Sequence, residues 1–150
     1  MGKKSFKEYL IKRQEKDKTG FFKKSAIIKA FYTGAYAKAV ILGSLHSEVS
    51  DNNTTFKKWL SNQIINYRNL DRIFEIAFRY EQKLRLKIRN DSEIRKLAHE
   101  VGIETSSGVS SAKISYAFVA GFDDYNTFIK ENPSNEENNI EKESEHGKQS

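Results

Sequence analysis

The sequence predicts an all-α fold, a bundle of five or six helices followed by a disordered acidic tail. Three observations predict it. The 150 residues include one proline, Pro133, and glycines are sparse before Gly102. Long stretches without breakers suit helices better than a turn-rich β fold. Apolar residues recur at three- and four-residue spacing in segment after segment, and no useful run alternates with the period of a strand. The organisation read from this pattern is a basic helical bundle over residues 1–132 and a tail over residues 133–150.

Taken in order, Ser5 with Glu8 three positions later fits a capping box. A short helix follows on the stripe of Phe6, Tyr9 and Leu10 and ends before Gly20. Residues 22–46 form the second helix, which contains the most apolar part of the chain, Ala30 to Gly43. A membrane span would need about 20 largely apolar residues with few charges. Lys29 and Lys38 stand too close together for that. A Walker phosphate loop would need two glycines followed by Lys and Ser or Thr, which is not the arrangement here.

Helical geometry explains the stretch better. Ala26, Ala30 and Gly34 are spaced by four, and so are Ala35, Ala39 and Gly43. Residues four apart share a face, so the helix carries two seams of small residues beside a bulky face of Ile27, Phe31, Leu42 and Leu45. It reads as the axis of the bundle. Lys38 points with Phe31 and Leu42, and a buried lysine needs a partner or an escape route. Glu81 is the matching oddity, near the centre of an apolar stripe on a later helix. The expectation is that the two meet or each finds a polar partner at the bundle edge, the alternative being a Lys38 that snorkels past its neighbours.

Residues 50–55 read as a polar loop ending in a cap. Phe56, Trp59, Leu60, Gln63 and Ile64 then repeat at helical spacing. A helix over about 70–89 begins at Asn69 or Leu70 and carries Ile73, Phe74, Ala77, Phe78, Leu84 and Ile88. Asn90-Asp91-Ser92 caps another helix, with Ile94, Leu97, Ala98 and Val101, stopped by Gly102. Residues 103–110 are a Ser/Gly loop. The last helix runs from about Ser111 to Lys130, with Ile114, Ala117, Phe118, Gly121, Phe122, Tyr125, Phe128 and Ile129 inward, and Pro133 ends it. The tail holds one large apolar residue, Ile140, too little to offset the entropy of ordering.

Charge narrows the function. The net charge of the chain is +6. Residues 133–150 carry five glutamates against two lysines, a net −3, so residues 1–132 carry +9. A basic body with an acidic tail points to a polyanionic partner. Cysteine is absent, which excludes disulfides and thiolate chemistry. The three histidines, His46, His99 and His146, are scattered, and no metal-binding spacing occurs. Asp123 and Asp124 diverge by about 100° on a helix and read as surface charge, while Ser106-Ser107-Gly108 lacks the setting of a nucleophile elbow. No catalytic residue, cofactor or metal is expected. The basic N-terminus has no apolar run behind it, so cytoplasmic location is expected.

The candidate binding residues are basic. Arg72, Arg79, Lys83 and Lys87 share the side of the 70–89 helix opposite its apolar stripe, with Glu75 among them. Lys23-Lys24, Lys57-Lys58 and Arg95-Lys96 are doublets at or near helix starts, where free N–H groups suit phosphates. With no helix-turn-helix, zinc finger or RNP motif, this set points to backbone contact without base reading, salt-dependent and nearly sequence-blind.

The pattern Phe31-Tyr32-Thr33-Gly34-Ala35-Tyr36-Ala37-Lys38, of the form Phe-x-x-Gly-x-x-x-Lys, opens a basic helical region that closes on Tyr116-Ala117-Phe118-Val119-Ala120-Gly121-Phe122. Over roughly residues 21–130 this resembles the C-terminal helical domain of the large subunit of type I-B CRISPR interference complexes, and so the small subunit of Cascade. The resemblance implies a non-catalytic subunit of a CRISPR RNA-guided surveillance complex, its partners being guide RNA, target DNA, other effector subunits and further copies of itself. The alternative is a small helical protein–protein adaptor of another nucleoprotein assembly, including a type III CRISPR small subunit.

Overall fold

A computed structural model describes residues 5–45, 51–86, 88, 91–100 and 108–132, with the backbone alone for 45, 51–55, 91, 92 and 100. Among these residues the regular structure is helical: α1 (Lys7–Lys16), a 3₁₀ turn (Phe21–Lys23), α2 (Ser25–Leu45), α3 (Asp51–Ser61), α4 (Tyr67–Lys83), α5 (Asp91–Glu100) and α6 (Ser111–Glu131). The expected tail, the stop at Gly102, the loop serines Ser106 and Ser107, and Lys87 lie outside the described residues, as do His46 and His146.

Helix α2 is the axis, as its small and apolar girth predicts, and α3, α4, α5 and α6 all pack on it. The α2–α6 seam is the tightest. A Cβ built on Gly34 would stand 2.0 Å from the carbonyl oxygen of Phe118, and one on Gly121 would stand 1.8 Å from that of Phe31. The contact is reciprocal: each helix presents Ala-Phe-x-x-Gly, Ala30–Gly34 in one and Ala117–Gly121 in the other, and each phenylalanine carbonyl rests on the partner's glycine. Backbones this close allow only hydrogen on the facing Cα, with the C–H···O contacts common at such crossings. The second seam ends at Gly43, which faces Leu86 and Ile88.

Helix α1 closes one end of that seam. Phe6 is fully buried, with the rings of Tyr9, Phe31, Tyr32, Tyr125 and Phe128 around it at 5.5–6.2 Å. Arg13 Nε and Nη2 donate to both Asp124 oxygens at 2.6 and 2.8 Å, and the Tyr9 hydroxyl donates to Glu131 at 2.5 Å. Asp124 is therefore the anchor of a bidentate ion pair and not free surface charge, while Asp123 is exposed. The capping box is replaced by a different start. Phe6 occupies the N-cap position, where a phenyl ring has no oxygen to cap with, and its ring is buried in the core instead.

Several boundaries move for tertiary reasons. Residues 21–23 form a separate 3₁₀ turn, held by Asp17, whose Oδ2 accepts from the Phe22 N–H at 3.1 Å, and extended Lys24 delays α2 to Ser25. Residues 51–55, expected as loop, are the first turns of α3. Helix α4 starts two or three residues early, at Tyr67, because Asn66 is its cap, accepting from the Asn69 N–H at 2.9 Å. It stops at Lys83 in a Schellman turn: Leu86 N–H bonds to the Glu81 carbonyl and Arg85 N–H to that of Gln82, with Arg85 at φ +50°. An arginine in the usual glycine position hides that stop from the sequence. Leu86 and Ile88 stay buried, but outside the helix.

The expected Lys38–Glu81 pair does not form. Buried Glu81 accepts from the Tyr36 hydroxyl and from Arg95, whose Nε lies 2.9 Å from Oε1 and whose Nη2 bonds Oε2. Half-buried Lys38 places its ammonium 4.8 Å over the Phe122 ring. The lysine that is buried is Lys29, 3% exposed, with Nζ 2.5 Å from Asp71 and 5.5 Å from the Tyr67 ring centre. Buried Thr33 and Ser44 turn their hydroxyls back to the Lys29 and Val40 carbonyls at 2.7 and 2.8 Å. These are the i−4 bonds that let polar side chains sit inside a helix.

Candidate nucleic-acid interface

Helix α4 buries Leu70, Ile73, Ala77 and Glu81, so its opposite side must face out. At 100° per residue Arg68, Arg79, Arg72 and Lys83 fall within an arc of about 60° on that side, and all four are exposed. From Arg68 to Lys83 the stripe is about 22 Å long at 1.5 Å per residue. That matches roughly six phosphate steps of one strand of B-form DNA.

The stripe is bordered by two grooves. On the α3 side, Trp59, Ile76 and Tyr80 line a groove of about 330 Å³ with Arg79 and Lys83 at its rim. Phe56 and Tyr80, 5.3 Å apart, hold α3 against α4 there. On the α5 side, past Asp71, Glu75 and Gln82, lies a groove of about 390 Å³ lined by Phe74, Phe78, Arg95, Lys96 and His99. A wider groove of about 730 Å³ lies elsewhere, where Phe21, Phe22, Lys16, Lys113 and exposed Tyr116 bring α1 and the 3₁₀ turn to α6.

The structure divides the basic residues that the sequence singles out. Arg72, Arg79 and Lys83 share the α4 stripe. Lys96 is exposed at the α5 groove. Arg95 lines the same groove but is committed to Glu81, whose hydrogen bond raises the guanidinium pKa above its ordinary value. Lys23 and Lys24 are exposed on the turn before α2, and Lys57 and Lys58 are exposed on α3. Lys57 belongs electrostatically with Lys38. Burial lowers the Lys38 pKa, Lys57 and Lys130 lower it further, and Asp123 opposes them. Tyr36, beneath Arg95, has its pKa raised by burial and then by Glu81.

Residues that the sequence reading left out also stand at this face. Arg68 completes the stripe, four residues before Arg72 and eleven before Arg79, and that spacing was legible. Phe74 and Phe78 read as core because they sit at the edge of the apolar stripe, yet both are only partly buried. His99, one of three scattered histidines in sequence, is stacked on Phe74.

Among the described residues, no cluster of three or more His, Cys, Asp or Glu side chains could hold a metal ion. No helix among them is long and apolar enough to cross a membrane. No protein-family model, curated protein or solved structure matches this chain.

Proposed function

We propose that this chain is a non-catalytic, nucleic-acid-binding structural subunit of a nucleoprotein assembly, gripping a strand by its phosphates. The observation that carries this reading is the four-cation stripe on α4, exposed along its length and bordered by aromatic grooves. Clustered cations on one helix face suit counterion release from a polyanion. Adjacent aromatic rings suit nucleic acid better than an acidic protein. Among such assemblies, the resemblance carried by the Phe-x-x-Gly-x-x-x-Lys helix and the aromatic-rich last helix favours the small subunit of a CRISPR RNA-guided surveillance complex, with guide RNA and target DNA as the polyanions, other effector subunits and copies of itself as neighbours, and a cytoplasmic site of action.

A second reading, a helical protein–protein adaptor, is favoured by exposed Tyr116 and Val119, three residues apart on α6. One titration separates them. Single-stranded DNA and RNA are titrated at 50 and 200 mM salt against the wild type and the Arg79→Glu/Lys83→Glu double variant. The nucleic-acid reading expects affinity to fall at least tenfold with salt and at least tenfold in the variant, with the circular dichroism spectrum unchanged. Absence of binding at 50 mM salt, or equal affinity of the variant, refutes it and leaves the adaptor.

A further inference from the structure

The α4/α5 groove has a construction that phosphate contact does not require. Its floor is a shelf of parallel rings: Phe74 and Phe78 lie 6.2 Å apart with planes within 8°, and His99 stacks on Phe74 at 5.6 Å and 30°. The Arg95 guanidinium stands 5.5 Å over the Phe78 ring and adds a flat cation to the stack. That cation is fixed in place. Glu81 holds it through two hydrogen bonds, and Glu81 is itself 5% exposed and bonded to the buried Tyr36 hydroxyl. Exposed Lys96 also lines the groove.

We propose that this groove is a stacking subsite for one nucleobase and its phosphate. Planar rings and a pre-oriented guanidinium recognise a flat π-system, and the Lys96 ammonium beside them recognises the charge attached to it. The volume, about 390 Å³, lies at the small end of ligand sites and takes one base-sized plane. Paired bases inside a duplex offer no free face, so the occupant is an unpaired base of a strand or a free nucleotide. The acidic residues Asp71 and Glu75 separate the groove from the α4 stripe, so the base and the main run of phosphates are held on different surfaces. This extends the α4 reading from phosphate contact to base contact and stands on the groove itself.

The test compares a labelled single-stranded 12-mer of deoxyadenosine with an abasic phosphodiester 12-mer of equal charge, at 50 mM salt, for wild type, Phe78→Leu and His99→Ala. Adenosine monophosphate is titrated separately while the His99 ring is followed by NMR. The base-bearing strand is expected to bind at least about fivefold more tightly than the abasic one. Both variants are expected to narrow that gap without changing abasic affinity, with Phe78→Leu retaining an apolar side chain against the core. A His99 shift with the monophosphate identifies a free nucleotide as a second occupant, and a gap without that shift identifies the strand-borne base alone. Equal binding of the two 12-mers with no His99 shift overturns the base subsite and leaves the α4 interface standing. Absence of binding to either 12-mer, again with no shift, overturns both.

Discussion

The sharpest test of the α2–α6 seam is Gly121→Ala, because two effects of opposite sign compete there. In an isolated helix the substitution would stabilise by about 1 kcal/mol. In the fold the new methyl would lie 1.8 Å from the Phe31 carbonyl oxygen. A relaxed carbon–oxygen contact is about 3.3 Å, so the helices must part by about 1.5 Å. The obstacle is backbone, with no rotamer to move aside. A gap of about 1 Å already forfeits up to half of a dispersion contact, and Ala30, Phe31, Ala117 and Phe118 are packed along this line. Overpacking costs about 1–3 kcal/mol where side chains can adjust and more where they cannot. A gross cost near 4 kcal/mol, less the helical gain, gives a net loss of about 3 kcal/mol, or a fall in Tm of roughly 6–12 °C. Gly34→Ala, whose methyl would meet the Phe118 carbonyl at 2.0 Å, should behave alike. Gly43→Ala is the control, since its methyl would meet Leu86 at 3.4 Å, an ordinary contact, and its Tm should hold or rise slightly. Thermal unfolding followed at 222 nm reads all three. Equal shifts for Gly121→Ala and Gly43→Ala would refute the close-crossing argument.

Three further outcomes are expected. Arg85→Gly should stabilise by about 1 kcal/mol, since only glycine takes the left-handed conformation without strain; a loss of stability in urea unfolding would contradict the Schellman assignment. Lys29→Met should leave stability unchanged or raised, because an apolar residue of similar volume removes a buried charge, whereas Asp71→Asn strands that charge and should cost more; the reverse order in urea midpoints sinks the argument. Tyr9 and Tyr32 have pKa values pushed up to about 12, by burial first and, respectively, by the Glu131 bond and the Glu93 charge. A raised folded pKa favours the neutral phenol, so this stability is complete below about pH 10 and is lost as pH rises toward 12. Tm should therefore fall steeply above pH 10, and absorbance at 295 nm should show these tyrosines ionising together with unfolding; early, fully reversible ionisation in the folded protein would count against their burial.

The helical class was legible because periodicity is a property of each segment alone. Ala26, Ala30 and Gly34 announced a close approach by spacing, and the reading of about Ser111 to Lys130 falls within one residue of α6, whose cap, Ser110 on the Lys113 N–H, is a local feature. The site was half legible. Arg72, Arg79 and Lys83 share a face by helical geometry, so their grouping needed no partner. Arg95 could not be separated from them, because its commitment to Glu81 spans two helices. For the same reason Lys38 drew attention that belonged to Lys29: both sit on α2, and only the position of α4, with Asp71 and Tyr67, decides which lysine is covered.

The sequence by itself determined the secondary-structure class, the basic balance of the body and the existence of an exposed cationic side on α4, all of which depend on residues near one another along the chain. Only the tertiary structure decided which charges were spent on the fold, where α4 stops, and which phenylalanines form a shelf beside a fixed arginine. Those outcomes depend on which surfaces other helices cover, and burial changes the energy of a charge or a ring far more than its neighbours in sequence do.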